Sequence, residues 1–142
     1  MRVLIAVDGS KHSLAAVQSL IDHADWYREK PEVELLTVHL PVPKLPRMGL
    51  AVSKQQIQKY YQEEGEAQLA ASRRRLDAAG IRYKATVLVG PVAETIVKRA
   101  KDARSDLIYI GTRGMTEVGK ALLGSTATKV LHMSDTPVLL VK

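Results

Sequence analysis

The stretch RVLIAVDGS, residues 2–10, decides the fold. Val3 to Val7 is an unbroken aliphatic run, and Asp8-Gly9-Ser10 halts it. A short run with no polar alternation reads as a strand buried on both faces. From Lys11 to Arg28, Leu14, Val17, Ile21 and Ala24 recur at helical spacing, and Ser10 is placed to cap that helix. A buried strand that turns directly into a helix is the first half of a crossover between parallel strands.

The same unit repeats along the chain. VELLTVHL (33–40) reads as a second strand, and Pro41, Pro43 and Pro46 then forbid regular structure. The Gln-, Glu-, Ala- and Arg-rich stretch from about 53 to 79 reads as a long helix with a thin apolar stripe, ended by Gly80. RYKATVLV (82–89) is a third strand, with Gly90-Pro91 as its stop. Residues 92–103 carry Ala93, Ile96, Val97 and Ala100 at helical spacing, and DLIYIG (106–111) is a fourth strand. A helix over 126–133 and a final strand over 136–142 complete the pattern. The expected fold is α/β, in three α/β/α layers around an open, twisted, five-stranded parallel sheet, with right-handed crossovers. Ligands of such sheets lie beyond the strands' carboxyl ends, where the strand order reverses. The loop 41–52 is long for a compact fold and suggests a lid or a binding edge.

Composition narrows the class. The 142 residues suit one domain, 1–142, and no linker or internal repeat divides them. With no Phe and one Trp the core must be aliphatic, and with no Cys disulfide and thiol chemistry are excluded. No apolar run reaches the roughly 18 residues that a membrane-spanning helix needs. The amino terminus is apolar but is interrupted at Asp8, too soon for a signal peptide, which favours the cytoplasm. The net charge of +6 is spread and interleaved with acids. Its densest run, Arg73-Arg74-Arg75, reads as a solvated helix face, and no aromatic residues interleave with it, so nucleic acid is not an expected partner.

The stretch YIGTRGMTEVGKALLGSTATK (109–129) carries the chemistry. Gly114-x4-Gly119-Lys120 begins like a P-loop, but Ala121 stands where that motif needs a hydroxyl for its metal, and the glycines lie too far beyond the strand. A second spacing is coherent: Gly111-x2-Gly114-x9-Gly124-Ser125. Glycines at 111 and 114 allow a turn off the strand with exposed N–H groups, and Gly124-Ser125-Thr126 opens a helix whose free N–H groups and dipole favour phosphate. Turn formation and simple helix capping explain the same glycines equally well.

That spacing resembles the nucleotide motif of the universal stress protein family, and the likeness runs through nearly the whole chain. VLIAVDGSKHSLAAV resembles the family's first strand and helix. LLTVHL resembles its second strand, GPVAETIVKRAKDARSDLIYIGTRG its third helix and fourth strand, and GSTATKVLHMSDTPVLLVK its last helix and edge strand. The resemblance implies a Rossmann-like sheet of the adenine nucleotide alpha hydrolase type, with strand order 3-2-1-4-5. The intact glycines resemble the ATP-binding branch. In that branch Asp8 lies near the ribose and phosphates, sometimes through a metal; capping of the Gly9–Ser13 turn is the other reading of its carboxylate. Ala6 and Val7 would line the adenine and ribose pocket, Val38 would supply a backbone contact to adenine, and Ile110 would close the other side of the base. Gly111, Gly114, Gly124, Ser125 and Thr126 would hold the phosphates. Arg113 is placed equally well for the phosphates and for solvent. The implied cofactor is ATP, or ADP or AMP, with Mg²⁺.

Other residues invite plainer readings. His39 beside a strand reads as structural, and His12, His23 and His132 have no metal spacing. Asp102 and Asp106 read as surface charges. The resemblance implies a nucleotide-dependent stress-response module, and a homodimer through the last strand, 136–142, for which the bare apolar edge PVLLV is suited. A slow ATPase or autophosphorylating enzyme, with Ser125 or Thr126 as acceptor, is the alternative. A nucleotide-free scaffold is a third reading, against which the glycines stand.

Overall fold

The computed structural model describes residues 1–43, 52–112 and 123–142. Five parallel strands, β1 (Arg2–Ala6), β2 (Glu32–His39), β3 (Tyr83–Val89), β4 (Leu107–Gly111) and β5 (Val138–Val141), form one sheet in the order β3-β2-β1-β4-β5. Central β1 pairs with β2 in the register Ile5–Leu35 and with β4 in the register Ile5–Tyr109. Its residues Val3 to Ile5 are at most 1 % exposed, as a strand covered on both faces requires.

Helices α1 (Lys11–Asp22) and α2 (Lys54–Ala78) cover one face. Val17, Leu20, Leu69 and Leu76 meet Val3, Ile5, Leu35 and Tyr109 there. Helices α3 (Val92–Asp102) and α4 (Ser125–Met133) cover the other, where Ala93, Ile96, Ala100, Ala127 and Val130 meet Leu4, Leu36, Ile108 and Ile110. Each buried Leu, Ile or Val contributes roughly 1.5–3 kcal/mol of transfer free energy. Odd and even positions of the strands feed opposite cores because successive side chains point to opposite faces.

The helix boundaries have local causes. Ser10 accepts from the Ser13 N–H at 3.1 Å and caps α1. The expected extension of α1 to Arg28 does not occur. The chain leaves the helix at His23, whose ring donates through Nδ1 to the Ser19 carbonyl at 2.7 Å, and a short 3₁₀ turn, Ala24–Trp26, follows. That turn delivers Tyr27 to Tyr109, the two hydroxyls meeting at 2.5 Å. Ser53 and Gln56 form a reciprocal capping box at the start of α2. Tyr61, Gly65, Leu69, Ser72 and Leu76 are the thin buried stripe of this otherwise polar helix. A methyl group on Gly65 would lie 2.4 Å from Val87, so the glycine sets how closely α2 approaches β3.

One polar network links the layer of α3 to the sheet. Arg99 of α3 binds Glu34 of β2 through Nε at 2.9 Å and through a second nitrogen at 3.0 Å, and the Thr86 hydroxyl of β3 donates to the same carboxylate at 2.6 Å. The surface readings of Asp102 and Asp106 gain detail. Asp102 pairs with Lys98 at 2.6 Å, which holds its carboxyl below the usual range, and Asp106 accepts the Arg2 N–H at 2.7 Å.

Candidate functional site

The strand order reverses between β1 and β4. The chain leaves β1 toward β2 on one side, then crosses from β3 to β4 on the other. The connections that leave the carboxyl ends of β1 and β4 therefore diverge, and the crevice between those connections is where an open parallel sheet receives a ligand.

Three segments meet at this crevice. The first is the turn after β1. Asp8 Oδ1 accepts the Ser10 N–H at 2.9 Å, and the Asp8 N–H donates to Ser13 Oγ at 3.2 Å. Ser13, 5 % exposed, returns its hydroxyl to the Ser10 carbonyl at 3.0 Å. The turn-capping role of Asp8 is thus present, and it also fixes the half-buried carboxylate at the end of β1. Gly9 completes the turn at φ +81°, a conformation that favours glycine.

The second segment joins the end of β4 to the start of α4. The Thr112 N–H donates to Val141 of β5 at 2.8 Å, and the Thr112 carbonyl accepts the Gly124 N–H at 2.7 Å. Chain that leaves the sheet at Thr112 has returned to the same strand end by Gly124. Gly124 is the N-cap of α4 and offers no side-chain acceptor to it, whereas α1 and α2 carry serine caps. The Thr128 N–H bonds back to Gly124, so the N–H groups of Ser125, Thr126 and Ala127 are the ones for which a helix has no internal partner. Their alignment with the helix dipole suits an anion. Ser125 is exposed and Thr126 half-buried.

The third segment is the floor. Ala6, Leu36 and Ile110 stand side by side in register on the α3/α4 face, and Val38 follows on that face one step nearer the carboxyl end of β2. Of the residues that the sequence assigns to the base, the structure brings Ala6, Val38 and Ile110 together. Val7 is different: its side chain belongs to the opposite core, and its N–H bonds the Leu36 carbonyl at 2.8 Å.

Gly111 has a role that the sequence did not reveal. It closes β4 and does not take the left-handed backbone that Gly9 takes. A methyl group on it would lie 2.5 Å from the His12 carbonyl oxygen and 2.7 Å from the His12 carbonyl carbon. The missing side chain lets the first turn of α1 sit directly on the end of β4. Arg113, Gly114 and the Gly119-Lys120-Ala121 run lie outside the described residues, as do positions 44–51 of the long loop.

The geometry suits an adenine nucleotide. Apolar side chains of Ala6, Leu36 and Ile110 lie toward the carboxyl ends of the strands, N–H groups without a side-chain cap open α4, and the Asp8 carboxylate is anchored at the end of β1. Among the described residues no three His, Asp or Glu side chains cluster as a metal cage. Mg²⁺ brought with phosphates needs only one or two carboxylates, and Asp8 is placed to serve. Sequence reasoning missed two clusters near the site. His39 packs its ring against Tyr60 and Tyr61, with centroids 5.5 and 5.2 Å away. Thr37, 1 % exposed, donates to Gln68 Oε1 at 2.5 Å. A threonine inside the apolar run LLTVH was the signal for the second.

Residues 1–142 match the model of the universal stress protein family. Universal stress protein MJ0531 of Methanocaldococcus jannaschii is 32 % identical over 143 residues, covering 99 % of this chain and 81 % of that protein. The structure solved for hypothetical protein MJ0577 superposes with a TM-score of 0.80 at 28 % identity, over 99 % of this chain and 94 % of that one. A universal stress protein in complex with cAMP superposes at 0.69 with 24 % identity, over 99 % and 95 % of the two chains, and shares the fold. With this five-stranded order, four helices and full-length match, the chain belongs to the universal stress protein family.

Proposed function

We propose that this protein is a nucleotide-dependent regulatory module of the stress response, which binds ATP, or ADP or AMP, in the crevice between β1 and β4. One observation carries the reading: the Gly124 N–H donates to the Thr112 carbonyl, so the uncapped start of α4 stands at the carboxyl end of β4. The relative solved with cAMP supports an adenine nucleotide in this fold. The base rests on Ala6, Val38 and Ile110, and the phosphates meet Gly124, Ser125 and Thr126. Asp8 takes Mg²⁺ or the ribose, and Arg113, Gly111 and Gly114 belong to the expected phosphate loop. ATP would add negative charge against these N–H groups and change the conformation of the protein or its contacts with a partner protein.

The chain acts as one domain in the cytoplasm and as a homodimer through β5. That strand is a short sheet edge with half-buried Val138–Val141, and Leu131 and Met133 of neighbouring α4 are 49 % and 46 % exposed. No helix among the described residues is long and apolar enough to cross a membrane.

A second reading, slow ATP hydrolysis or autophosphorylation, draws on the exposed Ser125 and half-buried Thr126 at the phosphate end. Positioning and electrostatics supply most of the catalysis of phosphoryl transfer. The two readings separate when the protein is purified without added nucleotide and the acid-released small molecules are identified. Retained ATP supports the binding module; ADP with steady phosphate release supports the enzyme. Absence of any adenine nucleotide, together with no binding at millimolar concentration, refutes both.

A further inference from the structure

The turn that presents Asp8 is tied by hydrogen bonds to its own helix. Asp8, Ser10 and Ser13 close their bonds on one another within six residues. Something outside α1 must fix that helix start against β2 if the carboxylate is to face the phosphate end consistently. The neighbour on that side is Gln68 of α2. Its Cα lies 3.3 Å, and its Cγ 3.5 Å, from where a β-carbon on Gly9 would be. The Gln68 side chain is in turn held by Thr37 of β2, whose buried hydroxyl donates to Oε1 at 2.5 Å. A chain of contacts therefore runs from the sheet through Thr37, Gln68 and Gly9 to Asp8.

We infer that Gln68 is a positioning residue for the Asp8-Gly9-Ser10 turn and thereby sets the affinity of the crevice for nucleotide; the inference rests on the nucleotide reading of the site. Gln68 sits beside the buried stripe of α2, just before Leu69, where the helix passes both the end of β2 and the turn. A buried hydroxyl is rarely left without a partner, so Thr37 selects one placement of the glutamine side chain. Glycine at position 9 serves this contact twice. It accepts φ +81°, and it leaves the space that the stem of Gln68 fills. Gln68 acts through its contact with Gly9 and its bond to Thr37, which is a positioning role.

The test uses Thr37→Val, Thr37→Ser and Gln68→Met in the full chain. Thr37→Val removes the donor at nearly constant volume, Thr37→Ser restores it, and Gln68→Met keeps the stem but loses the acceptor. The first readout is amide hydrogen exchange in nucleotide-free protein. Thr37→Val and Gln68→Met should speed exchange at Ser10 and Ser13 by about tenfold, the factor matching one lost hydrogen bond, with smaller changes at Ile108 and Ile110. The second readout is the Kd for ATP with Mg²⁺, which should weaken by about fivefold to tenfold in both variants and recover in Thr37→Ser. Equal acceleration at Ile108, Ile110, Ser10 and Ser13 overturns the inference, because the pair then only stabilises the core. A wild-type protein that binds ATP with variants unchanged in Kd also overturns it. A wild-type protein that binds no adenine nucleotide refutes the functional reading instead, and the exchange pattern still judges the positioning of the turn.

Discussion

The backbone N–H of Gly124 donates to the carbonyl of Thr112 at 2.7 Å, which brings a helix start to a strand end across eleven intervening residues, 113–123. This bond joins the start of α4 to the end of β4, and it uses only main-chain atoms. Gly124 has φ −61° and ψ 153°, an ordinary extended conformation for an N-cap. Glycine here is therefore not required by backbone strain. Gly124→Val should keep the fold, with a stability change of about 1 kcal/mol or less. The branched side chain would crowd the approach to the Ser125 and Thr126 N–H groups. Calorimetric titration with ATP should show at least about a tenfold loss of affinity, equal to about 1.4 kcal/mol.

Gly111 should behave in the opposite way. Its β-carbon would press on the His12 carbonyl at 2.5 Å, and that carbonyl is main chain in the first turn of α1, with little freedom to yield. Gly111→Ala should cost about 1–3 kcal/mol, as overpacking does, and should lower the urea midpoint without changing the slope. Affinity should fall along with stability, because the displaced helix start carries Ser10 and Ser13, which hold Asp8. A fully stable Gly111→Ala protein that loses only affinity would place the glycine against phosphate and not against α1.

The Glu34–Arg99–Thr86 network should couple α3 to the sheet. The Glu34 and Arg99 side chains are 12 % and 26 % exposed, so the pair is largely removed from water while keeping some screening. Arg99→Met leaves Glu34 with only the Thr86 hydroxyl and should cost about 2–3 kcal/mol. Replacing both, as Glu34→Leu with Arg99→Met, should cost less than the sum of the two single changes. A coupling of about 1–2 kcal/mol in a double-mutant cycle of chemical denaturation checks this, and strict additivity would show that the two groups do not interact.

Alkaline pH should expose the buried Tyr109. Burial foremost, and then its bond to the Tyr27 hydroxyl, raise the Tyr109 pKa well above the ordinary tyrosine value of 10.0. A group whose folded pKa is raised contributes stability that is complete below its unfolded pKa and is lost as pH climbs toward the folded one. Stability should therefore fall as pH rises above about 10. In Tyr109→Phe that dependence should flatten. Tyr83 is raised by burial and by Asp77, so it keeps part of the slope in the variant. Unfolding free energies at pH 8 and above, compared between wild type and Tyr109→Phe, measure the difference. Equal slopes would contradict it.

The layers were legible because β1 to β4 are largely apolar runs followed by Gly, Pro or Asp and the helices carry apolar residues at helical spacing, and the strand order followed from the family resemblance. The end of α1 was not legible. Ala24 continues the apolar spacing, but His23 caps the preceding turn and Tyr27 after it reaches Tyr109 of β4, a tertiary contact that overrides local pattern. Of the expected site residues, Ala6, Val38 and Ile110 share the α3/α4 face of the sheet, and Gly124 is the N-cap of α4. Val7 departs because the alternation of a strand sends neighbouring side chains to opposite cores. Gly111 was legible as a turn glycine of the motif, but its packing role was hidden, since His12 is 99 positions away and acts through its main chain. Gln68 was invisible for the same reason: one of the five glutamines on a polar helix reads as solvated until the fold sets Thr37 against it.

The account stands most directly on where an adenine nucleotide touches the chain. Backbone amide resonances of nucleotide-stripped protein, followed while ATP and Mg²⁺ are added, test it. The account predicts saturable shifts confined to Ala6–Ser10, Val38–His39, Ile110–Gly114 and Gly124–Ala127, with no comparable movement at the opposite ends of the strands around Arg2, Tyr83 and Leu107. Saturable binding with its largest shifts away from the ends of β1 and β4, or no binding of ATP, ADP or AMP at millimolar concentration, would contradict it.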